Sequence, residues 1–367
     1  MTDSCICDSG YDGAACDICA SGYAGYPDCV ILNQECTNWT RDISFDSNTM
    51  LTASGIWGSS SDDIYVTVTS STQGMVEHWI GGWLLESLPT HVNGTATFPE
   101  RAYAIWGLSS NDAWATANGK SGTQAMLFHK ATFINGWTED DTEPAAMFFN
   151  SIWGADSSNI FLLGKQTSGY RVWRKAVSGW NDMSAPSPGA HGAFTQVWGL
   201  DASHVFVSGY ADSNGDGNPD GGILLYWNGS AWNSLTVPSG CIELNGVHGT
   251  SLGEIWATGV NSSGQGVIYS ITSNLTTWTP FVSSTVTWYG PIWSTQNGRS
   301  LAGGDQGATA TAGIMRLTSI IQGAASTSSV DAKAYWPAAF WFDSASNTMH
   351  AVTNSPPQAG HYTGLCN

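Results

Sequence analysis

Charge is what this sequence has least of. Only 11% of its 367 residues are Asp, Glu, Lys or Arg, against about 25% in an average soluble protein. The polar surface must therefore come from Ser, Thr, Asn and Gln. Lys and Arg number 11 against 29 Asp and Glu, a formal net charge of −18. So few cations argue against nucleic acid, whose binding needs clustered positive charge to displace counterions, and against an anionic membrane surface. No run of 18 or more uninterrupted apolar residues exists, so no membrane-spanning helix is expected. No signal peptide is visible in the run Met1-Thr2-Asp3-Ser4-Cys5, so a mature form is expected. Gly, Ser, Thr and β-branched residues dominate over strong helix formers, which argues against long helices.

What the chain has in excess is Gly (43), Trp (19) and a lopsided set of eight Cys, six of them within the first 36 residues. That density suits disulfides in an oxidising compartment, so a secreted or surface-displayed protein is expected.

Self-comparison organises the rest. An aliphatic residue, Trp, Gly, a Ser/Asp turn and an aliphatic-aromatic strand recur as Ile56-Trp57-Gly58, Ile105-Trp106-Gly107, Ile152-Trp153-Gly154 and Val197-Trp198-Gly199. Val247-His248-Gly249 is a variant, and Ile292-Trp293-Ser294 and Phe340-Trp341-Phe342 are weaker copies. Successive spacings from Trp57 to Trp341 are 49, 47, 45, 50, 45 and 48. Units of this size, with hairpin turns such as Asn228-Gly229, predict an all-β, seven-bladed β-propeller of four strands per blade. The phrase resembles that of secreted bacterial β-propeller repeat proteins over residues 53–364, which implies the fold more firmly than any activity.

The seventh unit ends without a fourth strand, and Trp39 stands 18 residues before Trp57, as Trp180 stands before Trp198. Residues 36–45 are therefore expected to supply the missing outer strand, so that no blade is left with an open edge. Cys36 and Cys366 fall in the same turn, and a bond between them would close the ring at roughly 5 kcal/mol before strain is subtracted. The alternative places Cys36 in the amino-terminal knot. The expected division is 1–35 as a disulfide-rich segment and 36–367 as the propeller.

Within the knot, the run of Cys5, Cys7, Cys16, Cys19 and Cys29, with Gly10-Tyr11 and Gly22-Tyr23 before the turns, resembles the second half of a laminin-type EGF module. The resemblance implies Cys7–Cys16 and Cys19–Cys29 pairs. Elimination leaves Cys5 for Cys241. Zinc on the Cys16/Cys19 pair is the rival, without a second matched pair.

One loop carries sharp chemistry. Asp212, Asn214, Asp216, Asn218 and Asp220, with Gly at 215 and 217, resemble an EF-hand-type calcium loop. Asn218 would offer its backbone carbonyl, and Ile223 stands where a full hand has its bidentate Glu. Ca2+ is thus the expected cofactor, stiffening a long loop; a solvated Asp/Asn/Gly turn is the alternative. A second set of residues precedes the inner strands: Tyr103, Phe149, Phe194, Trp288, Tyr289, Tyr335 and Trp336. At a propeller mouth such rings stack on sugars or grip a peptide; otherwise they seal the interfaces between blades. His248 replaces a core Trp and reads as structural. No nucleophile elbow, phosphate loop or paired carboxylates are evident. Sequons at Asn38, Asn93, Asn228, Asn261 and Asn274 matter only where the source glycosylates. The expected function is a non-enzymatic extracellular recognition module, calcium-stabilised, binding a glycan or extracellular protein. A structural subunit of a filament or coat is the alternative, and a hydrolase or lyase working at the channel is the third.

Overall fold

The computed structural model describes residues 11–12, 18–19, 23–24, 30–31, 36–45, 51–71, 73–93, 95–119, 124–132, 136–176, 179–295, 299–305, 315–321, 324–331, 336–354 and 360–366. The fold is an all-β propeller of repeated antiparallel sheets. Seven sheets have four strands each, and their inner strands are Thr52–Ser60, Arg101–Ser109, Phe148–Asp156, Ala193–Asp201, Cys241–Ser251, Trp288–Thr295 and Trp336–Asp343. Each inner strand touches the next, and the last touches the first.

The recurring Trp-Gly pair has a steric cause. The indole of one sheet lies on the Gly of the next. A Cβ built on Gly107 would sit 2.8 Å from the Trp57 ring, on Gly154 2.5 Å from Trp106, on Gly199 2.7 Å from Trp153, and on Gly58 2.7 Å from Trp341. The Gly therefore makes room for a neighbouring sheet's Trp, and neither residue serves its own sheet alone. The one place where the Trp becomes His confirms the pairing. His248 is a smaller ring, and the following sheet carries Ser294 in place of Gly. The Ser294 N–H donates to His248 Nδ1 at 3.0 Å.

Strand two repeats a second device. Asp63 accepts from His78 Nε2 at 2.7 Å while Tyr65 stacks on that imidazole at 4.0 Å. Asp112 and Trp114 treat His129 in the same way, at 2.9 and 4.1 Å. In the third sheet Asn159 and Phe161 hold Arg174. Period-2 alternation in strand two places the oxygen acceptor and the aromatic on one face, and the cationic or His partner comes from strand three.

The last sheet takes its outer strand from the start of the chain. Thr37–Arg41 pairs with Gly360–Leu365, in the register Tyr362↔Arg41, Thr363↔Thr40 and Leu365↔Thr37. Cys36 and Cys366 form a disulfide across 330 residues. The Trp39 indole lies on Gly364, where a Cβ would come within 2.7 Å. Asp42 then ties this strand to both neighbours: its N–H donates to His361 O at 2.9 Å, and Trp83 Nε1 of the first sheet donates to its carboxylate at 2.8 Å.

The expected Cys5–Cys241 bond is not made. Cys241 is a buried free thiol, turned into the cluster of Leu224, Leu244 and Val247 between the fourth and fifth sheets. Burial pushes its pKa up to about 11. Elimination misled because the side chain belongs to an inner strand and faces the core, not the rim. Cys5, Cys7, Cys16 and Cys29, and hence the pairs implied for them and the zinc alternative, lie outside the described residues. Of the first 35 residues the structure describes two short ladders, Tyr11–Asp12 with Ile18–Cys19 and Tyr23–Ala24 with Val30–Ile31.

Candidate ligand-binding site

The inner strands surround a cavity of about 610 Å³. A local irregularity shapes it. Every inner strand slips register against its partner just before the repeat Trp: between Ala53 and Gly55, Ala102 and Ile105, Phe149 and Ser151, Phe194 and Gln196, Leu244 and Gly246, Tyr289 and Ile292, and Pro337 and Ala339. A bulge re-aims the unpaired residue. Three positions before the repeat Trp or His stand Ser54, Tyr103, Asn150, Thr195, Asn245, Gly290 and Ala338, and all of these but Gly290 present their side chains to a cavity that the whole column lines.

In the middle of the ring these side chains stitch one sheet to the next. Asn150 Nδ2 donates to Phe194 O at 2.9 Å, Thr195 Oγ1 to Leu244 O at 2.9 Å, and Asn245 Nδ2 to Tyr289 O at 3.0 Å. In each case the acceptor is the carbonyl four residues before the next repeat Trp or His. Gln196 adds a fourth bond, its Oε1 accepting from Val247 N at 2.8 Å. Each amide spends one end on the neighbouring sheet. Asn150 Oδ1 is buried and has no partner among the described residues.

The wall is uncharged. Among the described residues that line the cavity there is no Asp, Glu, Lys or Arg. Burial pushes the His248 pKa down to about 3, so its imidazole is neutral at physiological pH. Burial likewise raises Tyr170 to about 12 and raises Tyr210. With a neutral wall, the cavity offers hydrogen bonds and aromatic faces, and the titratable groups among its described lining residues are His248, Tyr103, Tyr170 and Tyr210.

The aromatics expected at the mouth divide. Tyr103 and Trp288 are half-buried and line the cavity. Phe149, Phe194 and Tyr289 are buried between sheets, where they seal the interfaces, and of the three Phe194 also lines the cavity. Phe149 meets Trp173 edge-on, and Phe194 meets Tyr170. Period-2 alternation explains the split, because adjacent residues in an inner strand point to opposite sides. Tyr335 and the Trp336 side chain lie outside the described residues. The uncharged polar column was missed at the sequence level, although Ser, Tyr, Asn, Thr and Asn at one position in five of seven units was a readable signal.

The Asp-rich loop joins strands two and three of the fourth sheet, at the end where the inner strand begins. Gly215 and Gly217 both take positive φ, +72° and +87°, a backbone open to Gly at no steric cost. Asp212 accepts from Gly215 N at 2.7 Å and Gly217 N at 3.0 Å, and Asp220 accepts from Ser213 N at 2.7 Å. The carboxylates are thus turned to the loop's own N–H groups. Among the described residues no three His, Cys, Asp or Glu groups converge as a metal site.

Buried ionisable groups elsewhere fix a pH dependence. Burial pushes His248 and His350 from 6.5 to about 3, His361 adding to the effect at His350. The unfolded chain then binds more protons below pH 6.5, and stability is lost as pH falls from there towards 3. Burial raises Glu77 to about 7 and Glu143 to about 9, from 4.5. For these the folded chain binds more protons, and stability is lost as pH rises from 4.5 through 7 and 9. Each group contributes a slope of at most about 1.4 kcal/mol per pH unit. The opposed slopes nearly cancel between pH 4.5 and 6.5, where urea unfolding should show its maximum, with a fall on both sides. A midpoint still climbing at pH 8 would contradict a half-buried Glu143 that stays protonated there.

The chain matches no protein-family profile and no curated protein. Among solved structures it is similar to a catalytically inactive virginiamycin B lyase from Staphylococcus aureus solved with quinupristin, at 12% identity and a TM-score of 0.63, covering 89% of this chain and 99% of that one. It is similar to a xyloglucanase from Xanthomonas campestris, at 12% identity and a TM-score of 0.62, covering 88% of this chain and 53% of the enzyme. YCF48 bound to D1 peptide shares 13% identity and a TM-score of 0.59, over 90% of this chain and 98% of that one. At such identities the likeness shows a β-propeller fold, and chemistry must be read from this chain's own cavity.

Proposed function

We propose that this protein is a non-enzymatic extracellular recognition module: a seven-bladed propeller, preceded by a small EGF-like segment, that binds a glycan or protein partner at the mouth of its central cavity. The observation that carries the reading is the uncharged wall of that cavity. Glycoside cleavage requires two carboxyl groups flanking the bond, and elimination requires a base within reach of a proton. Among the described lining residues the wall supplies aromatics and amides, and its imidazole, His248, is a weak base that burial holds neutral and that already accepts from Ser294 N, which fits a binding surface better than a reaction centre. The peptide held by YCF48 supports a binding role on a related fold. The Cys36–Cys366 disulfide supports an oxidising compartment.

The test combines binding with turnover. Panels of glycans and extended peptides are screened by thermal shift, and each hit is incubated with the protein and then analysed by mass spectrometry. Binding with the ligand recovered intact is the expected outcome. Cleavage of a hit would favour the hydrolase or lyase reading that the lyase and xyloglucanase likenesses suggest. Sedimentation showing large homo-assemblies, with no hit in either panel, would favour the structural subunit.

Calcium at Asp212–Asp220 rests on the residue pattern alone. Saturation at 100 times Kd would stabilise the fold by about 2.7 kcal/mol, seen as a rise of a few degrees in Tm that Asp216→Asn blunts. An identical Tm in calcium and in chelator would remove the metal from this reading.

A further inference from the structure

The recognition reading leaves the ligand class open, and the cavity wall narrows it. We propose, resting on that reading, that the site takes a neutral saccharide, with one pyranose ring stacked on Trp288 and adjacent hydroxyls held by Asn245 and Gln196.

Trp288 is the platform. Its half-buried indole lies against the Gly290 backbone, where an added Cβ would fall 2.0 Å from the ring. Glycine at that position leaves room for the indole against the wall. A flat aromatic face suits the C–H face of a pyranose, which is apolar while its rim is hydroxylated.

The polar partners stand beside it. Asn245 donates to the carbonyl of Tyr289, the residue next to Trp288, and Gln196 accepts from Val247 N, two residues along from Asn245. These bonds fix both amides in the wall and consume one end of each. Asn245 keeps its Oδ1 acceptor, and Gln196 keeps its Nε2 donors. A fixed acceptor near a fixed donor matches neighbouring sugar hydroxyls, each of which both gives and takes a hydrogen bond. Asn150 Oδ1, buried without a partner among the described residues, is a further acceptor in the same cavity.

Charge selects a neutral ligand. A net charge of −18 repels anions, and no Lys or Arg among the described lining residues would pair with one. Among the described lining residues a cationic peptide would find no carboxylate either, the nearest influence being that of Glu243 and Asp212 on Tyr210. Strand addition by a peptide needs free backbone acceptors on an exposed edge. At this mouth the carbonyls of Phe194, Leu244 and Tyr289 are already taken by side chains from the preceding sheet.

The experiment is titration by intrinsic Trp fluorescence and calorimetry with neutral homo-oligomers of glucose, galactose, mannose and N-acetylglucosamine, with sialylated and sulfated oligosaccharides and uncharged peptides as contrasts. At least one neutral series should bind. Its affinity should fall about tenfold or more in Trp288→Ala and in Gln196→Ala, with Trp288→Phe retaining most of it, while Tm shows each variant folded. Sulfated and sialylated chains should bind more weakly. Saccharide binding indifferent to Trp288→Ala would overturn the placement. Trp288-dependent binding of peptides alone would overturn the saccharide class and leave the recognition reading standing. No binding in any arm would overturn both.

Discussion

Replacing Cys36 and Cys366 by Ser is expected to lower the stability of the propeller by about 5 kcal/mol, the loop-closure entropy of a cross-link spanning so much of the chain, and to leave it folded. The disulfide bridges residues 330 apart, so the unfolded chain regains nearly all its freedom once the bond is absent. The native ring keeps its non-covalent closure. The Thr37–Arg41 strand still pairs with Gly360–Leu365, Trp39 still covers Gly364, and Asp42 still receives Trp83 of the first sheet. Urea unfolding under oxidising conditions reads the difference as a lower midpoint with an equal or larger m, because the denatured chain without the cross-link exposes more surface. A loss under about 1 kcal/mol would mean that strand pairing alone holds the ends together. A smaller m would mean instead that one sheet has come apart from the rest.

Lys130→Met is expected to cost about 3–5 kcal/mol, the range for breaking a buried pair from one side. Lys130, Glu86 and His78 are completely buried between the first and second sheets. Glu86 accepts from Lys130 at 2.8 Å, from His78 Nδ1 at 3.0 Å and from Trp137 Nε1 at 2.7 Å. Burial by itself would raise Glu86, but the His78 and Lys130 bonds outweigh it and hold the carboxyl down to about 2. Burial would likewise lower His78, and its bonds to Asp63 and Glu86 outweigh that and raise it. Without Lys130 the carboxylate loses its cation in a site closed to water. Adding Glu86→Gln should recover part of the loss, because a neutral amide needs no counter-charge. A double-mutant cycle in urea reads that coupling directly. If the double variant is no more stable than Lys130→Met, the energy lies in the Lys130 ammonium resting over the Tyr65 and Trp137 rings, at 5.4 and 5.3 Å, and not in its pairing with Glu86.

These two sites also show where the sequence could be read and where it could not. The closing disulfide was legible because Cys36 and Cys366 fall in the same slot of a repeat whose period was counted along the chain. The Glu86–Lys130 pair was not, because its members come from different sheets and break the repeat. Charged residues that occur once leave no periodic trace. The cavity shows the same division. Trp288 and Tyr103 were found as aromatics preceding inner strands, but Phe149, Phe194 and Tyr289 occupy neighbouring positions and are buried. A bulge decides which of two adjacent residues faces inward, and composition does not encode a register slip. The Asp-rich loop was legible as a pattern, and the fold turned its carboxylates to their own backbone.

By itself the sequence determined the repeat, the strand count of each unit, the exchange of a strand between the two ends and the poverty of charge. All four follow from local periodicity or composition, which survive in one dimension. Only the tertiary structure decided that Trp57, Trp106, Trp153 and Trp341 rest on the next sheet's Gly, that polar side chains three places before the repeat Trp or His stitch sheet to sheet, and that the described wall of the resulting cavity carries no charged residue. Those facts depend on contacts between residues about fifty positions apart, and such contacts exist only once neighbouring sheets have packed.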